Sequence, residues 1–102
     1  MLSFPQALRE SHCLPFSDSV NALSLAADTA ETLTIPAGAK WVFFSSTGNF
    51  YVKANGTATV PGDTTDGSAS VLNPTGRYLG GTTSLSIIAP FACVVTAQFF
   101  GE

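Results

Sequence analysis

The 102-residue chain reads as an all-β domain, a small β-sandwich of jelly-roll-like kind with about seven or eight short antiparallel strands. Three observations predict it. Apolar residues alternate in short runs, the period of a half-buried strand. Gly, Pro, Asn and Asp interrupt those runs at close intervals. No segment holds a helical period long enough to interrupt the pattern. The organisation that follows is an N-terminal arm over residues 1–19 and a β-sandwich domain over residues 20–102.

The arm carries Pro5, Pro15, the single His12, and Arg9, Glu10 and Asp18. Its apolar residues Phe4, Leu8, Leu14 and Phe16 keep neither a strand period nor a long helical one. Pro5 suits the first position of a short helical turn through residues 6–10. The arm is expected to dock by these scattered side chains; an ordinary strand-like segment folded on its own domain is the alternative.

Residues 20–25 form a short apolar-rich run, and Asp28, Thr29 and Ala30 offer a turn. Residues 31–35 alternate, with Leu33 and Ile35 on one face and Thr32 and Thr34 on the other. Residues 36–39, with Pro36 and Gly38, end that strand. Residues 40–46 are apolar on both faces, Trp41 and Phe43 against Val42 and Phe44, which predicts a central strand covered on two sides. After a turn at Thr47, Gly48 and Asn49, residues 50–53 place Phe50 and Val52 inward. Asn55-Gly56 is the favoured pair of a two-residue type I′ hairpin. It predicts residues 57–60 as a returning strand, so that residues 40–60 form a three-stranded meander.

Residues 61–76 lack a strand pattern, a long excursion that Val71 and Leu72 would anchor. Residues 77–79 form a brief strand closed by Gly80-Gly81. Residues 84–88 alternate with Leu85 and Ile87 inward, and Pro90 ends them. The last strand, residues 92–100, sets Cys93, Val95, Ala97 and Phe99 against Val94, Thr96, Gln98 and Phe100. Because Phe99 and Phe100 face opposite ways, at least one should lie outside the domain's own core and meet a neighbour.

Charged residues make up only 11% of the chain, against roughly 25% in typical soluble domains. Hydroxyls take their place: 11 Ser and 12 Thr occupy 23 positions. A surface of Ser, Thr, Gly and Ala loses little hydration when covered, because no ion is stripped of water. The composition is that of a protein packed against copies of itself or other chains. A plain β-domain with an uncharged polar surface is the alternative.

The same arithmetic excludes functions. The net charge is −3, and the cations Arg9, Lys40, Lys53 and Arg77 are scattered, so no basic patch offsets phosphates. No stretch approaches the roughly 20 apolar residues of a membrane-spanning helix. The first residues lack the basic start and unbroken apolar run of a secretory signal. Cys13 and Cys93 lie too far apart in sequence for a Cys-x-x-Cys site and are expected as reduced thiols. His12 and Cys13 are sequence neighbours on an extended arm and point apart, so they do not pair for catalysis. Asp63 and Asp66 lack the spacing of a calcium loop, and such Asp residues ordinarily cap their own turns. The aromatic group Trp41, Phe43, Phe44, Phe50 and Tyr51 could form a sugar- or strand-binding platform, but its alternation favours core packing. No catalytic, cofactor or metal residue is assigned; an enzyme is not expected, and no cofactor is.

One ordered set of motifs remains. Residues 34–39 read TIPAGA, followed by the aromatic strand from Trp41 to Phe44 and by Phe50-Tyr51-Val52. Then come Thr57-Ala58-Thr59-Val60-Pro61, Asp66-Gly67-Ser68, Leu72-Asn73-Pro74, Arg77-Tyr78-Leu79, Ser84-Leu85-Ser86-Ile87 and Val94-Val95-Thr96. This order, over about two thirds of the chain, resembles a family of short virion proteins of tailed bacteriophages. The resemblance implies a non-enzymatic structural protein, foremost a capsid decoration (cement) protein. Its partners would be the major capsid protein and copies of itself in a homotrimer, with no nucleic acid, membrane or small-molecule substrate. It would be made in the host cytoplasm and reside on the capsid surface of the virion. The interface residues expected are Phe4, Leu8, Leu14 and Phe16 of the arm, and Phe100. A tail, head–tail junction or head-fibre component is the alternative in the same setting, and a small carbohydrate-binding module using residues 61–76 is the alternative of another class.

Overall fold

A computed structural model describes residues 16–101. They form eight β-strands in two antiparallel four-stranded sheets, with no helix among the described residues. The strands are β1 (Val20–Leu25), β2 (Glu31–Leu33), β3 (Trp41–Ser46), β4 (Tyr51–Ala54), β5 (Val71–Leu72), β6 (Gly76–Tyr78), β7 (Leu85–Ile88) and β8 (Cys93–Phe100). The first sheet runs β1-β8-β3-β6 and the second β2-β7-β4-β5. The chain is thus folded like a long hairpin, with β1 on β8, β2 on β7, β3 on β6 and β4 on β5. Its two layers close through β3 on β8 and β4 on β7. This is the strand order of a jelly roll, the fold class read from the sequence.

Alternation decides which side chains enter the space between the sheets. Leu25, Val42, Phe44, Val95, Ala97 and Phe99 come from the first sheet. Leu33, Val52, Leu85 and Ile87 come from the second, and Phe50 and Leu79 close the ends. Each large apolar side chain buried this way contributes roughly 1.5–3 kcal/mol. The expected inward residues Leu33, Phe50, Val52, Leu85 and Ile87 are all in this core.

Three expectations are corrected. Residues 57–60 are not a strand, and Asn55-Gly56 does not close a hairpin. Instead β4 pairs with β7 and β5, while β3 lies in the other sheet, so no meander exists over residues 40–60. The reason is burial: the chain crosses the outer face of the second sheet after β4, covering Ser86 and burying Ala58. The Ala58 amide donates to Ser86 Oγ at 2.9 Å and the Thr59 amide to Ser70 Oγ at 3.2 Å. That bond gives Ser86, 5% exposed, a partner in the interior.

The long excursion is correspondingly displaced rather than shortened: it runs over residues 55–70, because β5 and the first residue of β6 lie within residues 61–76. Shortly before β5 it is held by Lys53 Nζ donating to the Ser68 carbonyl. Finally, Phe100 lies outside the core as expected but is fully buried like Phe99, so it is not an exposed contact. Phe99 fills the core, while Phe100 stands on the opposite face of β8, edge-on to Phe43 with centroids 5.7 Å apart.

Candidate interaction surface

The two outer faces of the sandwich differ. The chain after β4 runs over the second sheet at Ala58 and returns to it at Ser68, and the outward Ser86 and Ile88 are buried. On the first sheet Asn21, Leu23 and Leu25 alternate inward, so Val20, Ala22 and Ser24 point out. Their register partners are Gln98, Thr96 and Val94. Val20, Ala22, Ser24 and Val94 are exposed. No charged residue occurs in β1, β3 or β8. This face is therefore a band of small apolar, amide and hydroxyl groups that loses little hydration when covered.

The edge beside it carries no guard among the described residues. β1 has six residues, none charged and none Pro, and among the described residues no strand pairs with its outer side. The other edges are short: β2 and β6 have three residues each and β5 has two. Glu31 sits in β2 and Arg77 in β6, charges that discourage pairing with a stranger. Further along the face, the Trp41 and Tyr78 rings meet at a tilt of 58° with centroids 4.8 Å apart, and the Phe43 ring lies over Gly76.

A cleft of about 170 Å³ opens between the sheets where β5 and β6 are too short to close them. Val42, Phe44, Val52, Val71, Leu79 and Leu85 line it, and the exposed Arg77 stands at its rim. Val42 pairs with Arg77 in register, which turns the guanidinium stem inward rather than away from the cleft.

Of the interface residues read from the sequence, Phe16 is 95% exposed just ahead of β1. Phe4, Leu8 and Leu14 lie outside the described residues, as do His12 and Cys13. Phe100, being buried, is not an exposed anchor. Cys93 is half-buried, its Sγ 3.8 Å from the Asn49 carbonyl. Asp66 caps its own turn as expected, accepting from the Ser68 amide at 3.1 Å and hydroxyl at 2.6 Å. Those bonds, the hydroxyl first, hold its carboxyl below the ordinary aspartate value. Among the described residues no three of His, Cys, Asp and Glu converge on one point.

Sequence reasoning passed over Phe91, which is 80% exposed on the turn between β7 and β8. The signal was present: an aromatic residue between Pro90 and Ala92 belongs to neither strand, so neither alternation can bury it. Compared with family models, with curated proteins and with solved structures, the chain finds no match.

Proposed function

We propose that this chain is a non-enzymatic structural protein of a tailed-bacteriophage virion, a decoration protein that associates with itself and lays its uncharged sheet face on the capsid. One observation carries the reading: the centre of one outer face of the sandwich is covered by the chain's own loop, while on the β1–β8 half of the other Val20, Ala22, Ser24 and Val94 are exposed and no residue bears a charge. Charge depletion at the centre of a contact patch is the compositional mark of an interface. The motif order of residues 33–100 supports the virion setting. Phe16, almost wholly exposed before β1, supports a grip by the arm. Binding that favours only the assembled shell would stabilise it by mass action.

Quantitative mass spectrometry of purified particles tests the setting. On the order of 10² copies per particle supports decoration, and about six or twelve, the size of a cyclic ring, places the chain at a tail or junction instead. Absence from particles overturns the proposal. The face is tested separately by Ala22→Lys and Val94→Lys. Both sites are exposed, so unfolding should shift by no more than about 0.5 kcal/mol. Particle association should fall at least tenfold.

A further inference from the structure

We propose that Phe91 of one copy inserts into the intersheet cleft of the next, so that copies join head to tail. The inference rests on the reading that the chain self-associates, and it names the contact.

The knob is held in place. Ala89 bridges Ala27 and its carbonyl accepts from the Asp28 amide at 2.8 Å, which fixes the turn two residues before Phe91. The ring is 80% exposed on that fixed turn. The socket matches it in size and chemistry. An apolar cavity of ~150 Å³ accepts a benzene ring, and the cleft offers about 170 Å³ lined by aliphatic and aromatic side chains.

The two ends also carry opposite charge. Asp28 stands at the Phe91 turn, and Glu31 opposes Ile87 in register close by. Arg77 stands at the cleft rim, and the Lys40 carbonyl accepts from the amide of Leu79 in the cleft wall. The acidic pair Asp28 and Glu31 beside the knob therefore approaches Arg77 at the rim of the socket, with Asp18 farther off across β8, which favours head-to-tail encounter over head-to-head.

Position excludes a contact within one copy. Leu85 at the start of β7 lines the cleft, while Phe91 lies beyond Ile88 at the other end. A knob and a socket on opposite ends make a heterologous contact, which closes into a ring or grows into a fibre according to the rotation between copies.

The test uses the full chain and three variants. Phe91→Ser removes the knob, and Ala54→Leu fills the socket from a residue that lines it and is itself exposed. Thr82→Phe is a second way to fill the socket. By sedimentation velocity the unmodified chain should gain mass with concentration. Each variant alone should remain a 10.6 kDa species. An equimolar mixture of Phe91→Ser with a filled-socket variant should form a dimer and nothing larger, since one intact knob meets one intact socket. That dimer also shows both variants folded. Variants that assemble like the unmodified chain, or a mixture that stays monomeric, overturn the knob-and-socket contact while self-association stands. An unmodified chain that is monomeric at every concentration overturns both.

Discussion

The Asn55 side-chain carbonyl accepts from both the amide and the hydroxyl of Thr83, at 2.8 and 2.9 Å. The Ser84 amide is 3.3 Å from the same oxygen, and the Asn55 amide donates to the Ser84 carbonyl at 2.9 Å. Asn55 thus fastens the end of β4 to the start of β7, 28 residues away in sequence. It does so at φ 56°, a left-handed conformation that Asn tolerates better than most residues.

Asn55→Ala should therefore destabilise the domain by about 2 kcal/mol, combining lost hydrogen bonds with left-handed strain. Asn55→Asp keeps the acceptor and should lose less than half as much. Urea unfolding of the three proteins checks this; equal losses for Ala and Asp would show that the acceptor is not what matters.

Gly76 is present because Phe43 occupies the space above it. A Cβ there would lie 2.5 Å from the Phe43 ring. Gly76→Ala should cost about 1–3 kcal/mol through overpacking. Adding Phe43→Leu should recover part of that loss, since the two positions share one space. Thermal unfolding of the double-mutant cycle reads the coupling; simple additivity would remove this account.

Ser86→Ala should leave the Ala58 amide buried without its acceptor, at a cost of about 1–3 kcal/mol. Amide hydrogen exchange gives the local reading. Exchange at Ala58 should accelerate more than at Val95 in the core, and uniform acceleration would argue against a specific latch.

Asp66 titrates below the ordinary aspartate value because the hydroxyl and amide of Ser68 bind its ionised carboxylate, with a smaller pull from Lys53. A folded pKa lower than the unfolded one means that the contribution is present above the unfolded value and is lost as pH falls through the folded one. NMR titration should place the Asp66 midpoint below that of an unstructured peptide. Ser68→Ala should raise it toward the peptide value. An unmoved midpoint in that variant would assign the shift elsewhere.

Much of the fold is legible along the chain because alternation is a local property. Cys93 to Phe100 alternates so regularly that Val95, Ala97 and Phe99 can be grouped on one face before any partner is known, and the structure turns that face inward. The same holds for Leu85 and Ile87. The hairpin at Asn55-Gly56 failed for the opposite reason: a local turn preference competes with a distant partner, and here Thr83 and Ser84 take up Asn55 while Ser86 takes up the returning chain. The candidate surface was half legible. The absence of charge from β1, β3 and β8 stands in the sequence, but not that these strands share a sheet.

By itself, then, the sequence determined the all-β class, the inward residues Phe50, Val52, Leu85 and Ile87, and a surface poor in charge. Those follow from the two-residue period of an extended chain and from composition, and neither depends on what a strand pairs with. Tertiary structure alone decided that β1 lies against β8, that the chain after β4 runs over the second sheet and not the first, that Phe100 is buried, and that Phe91 and the cleft stand at opposite ends of β7. Pairing and coverage are settled by the summed burial of both layers, a quantity that no single stretch of the chain carries.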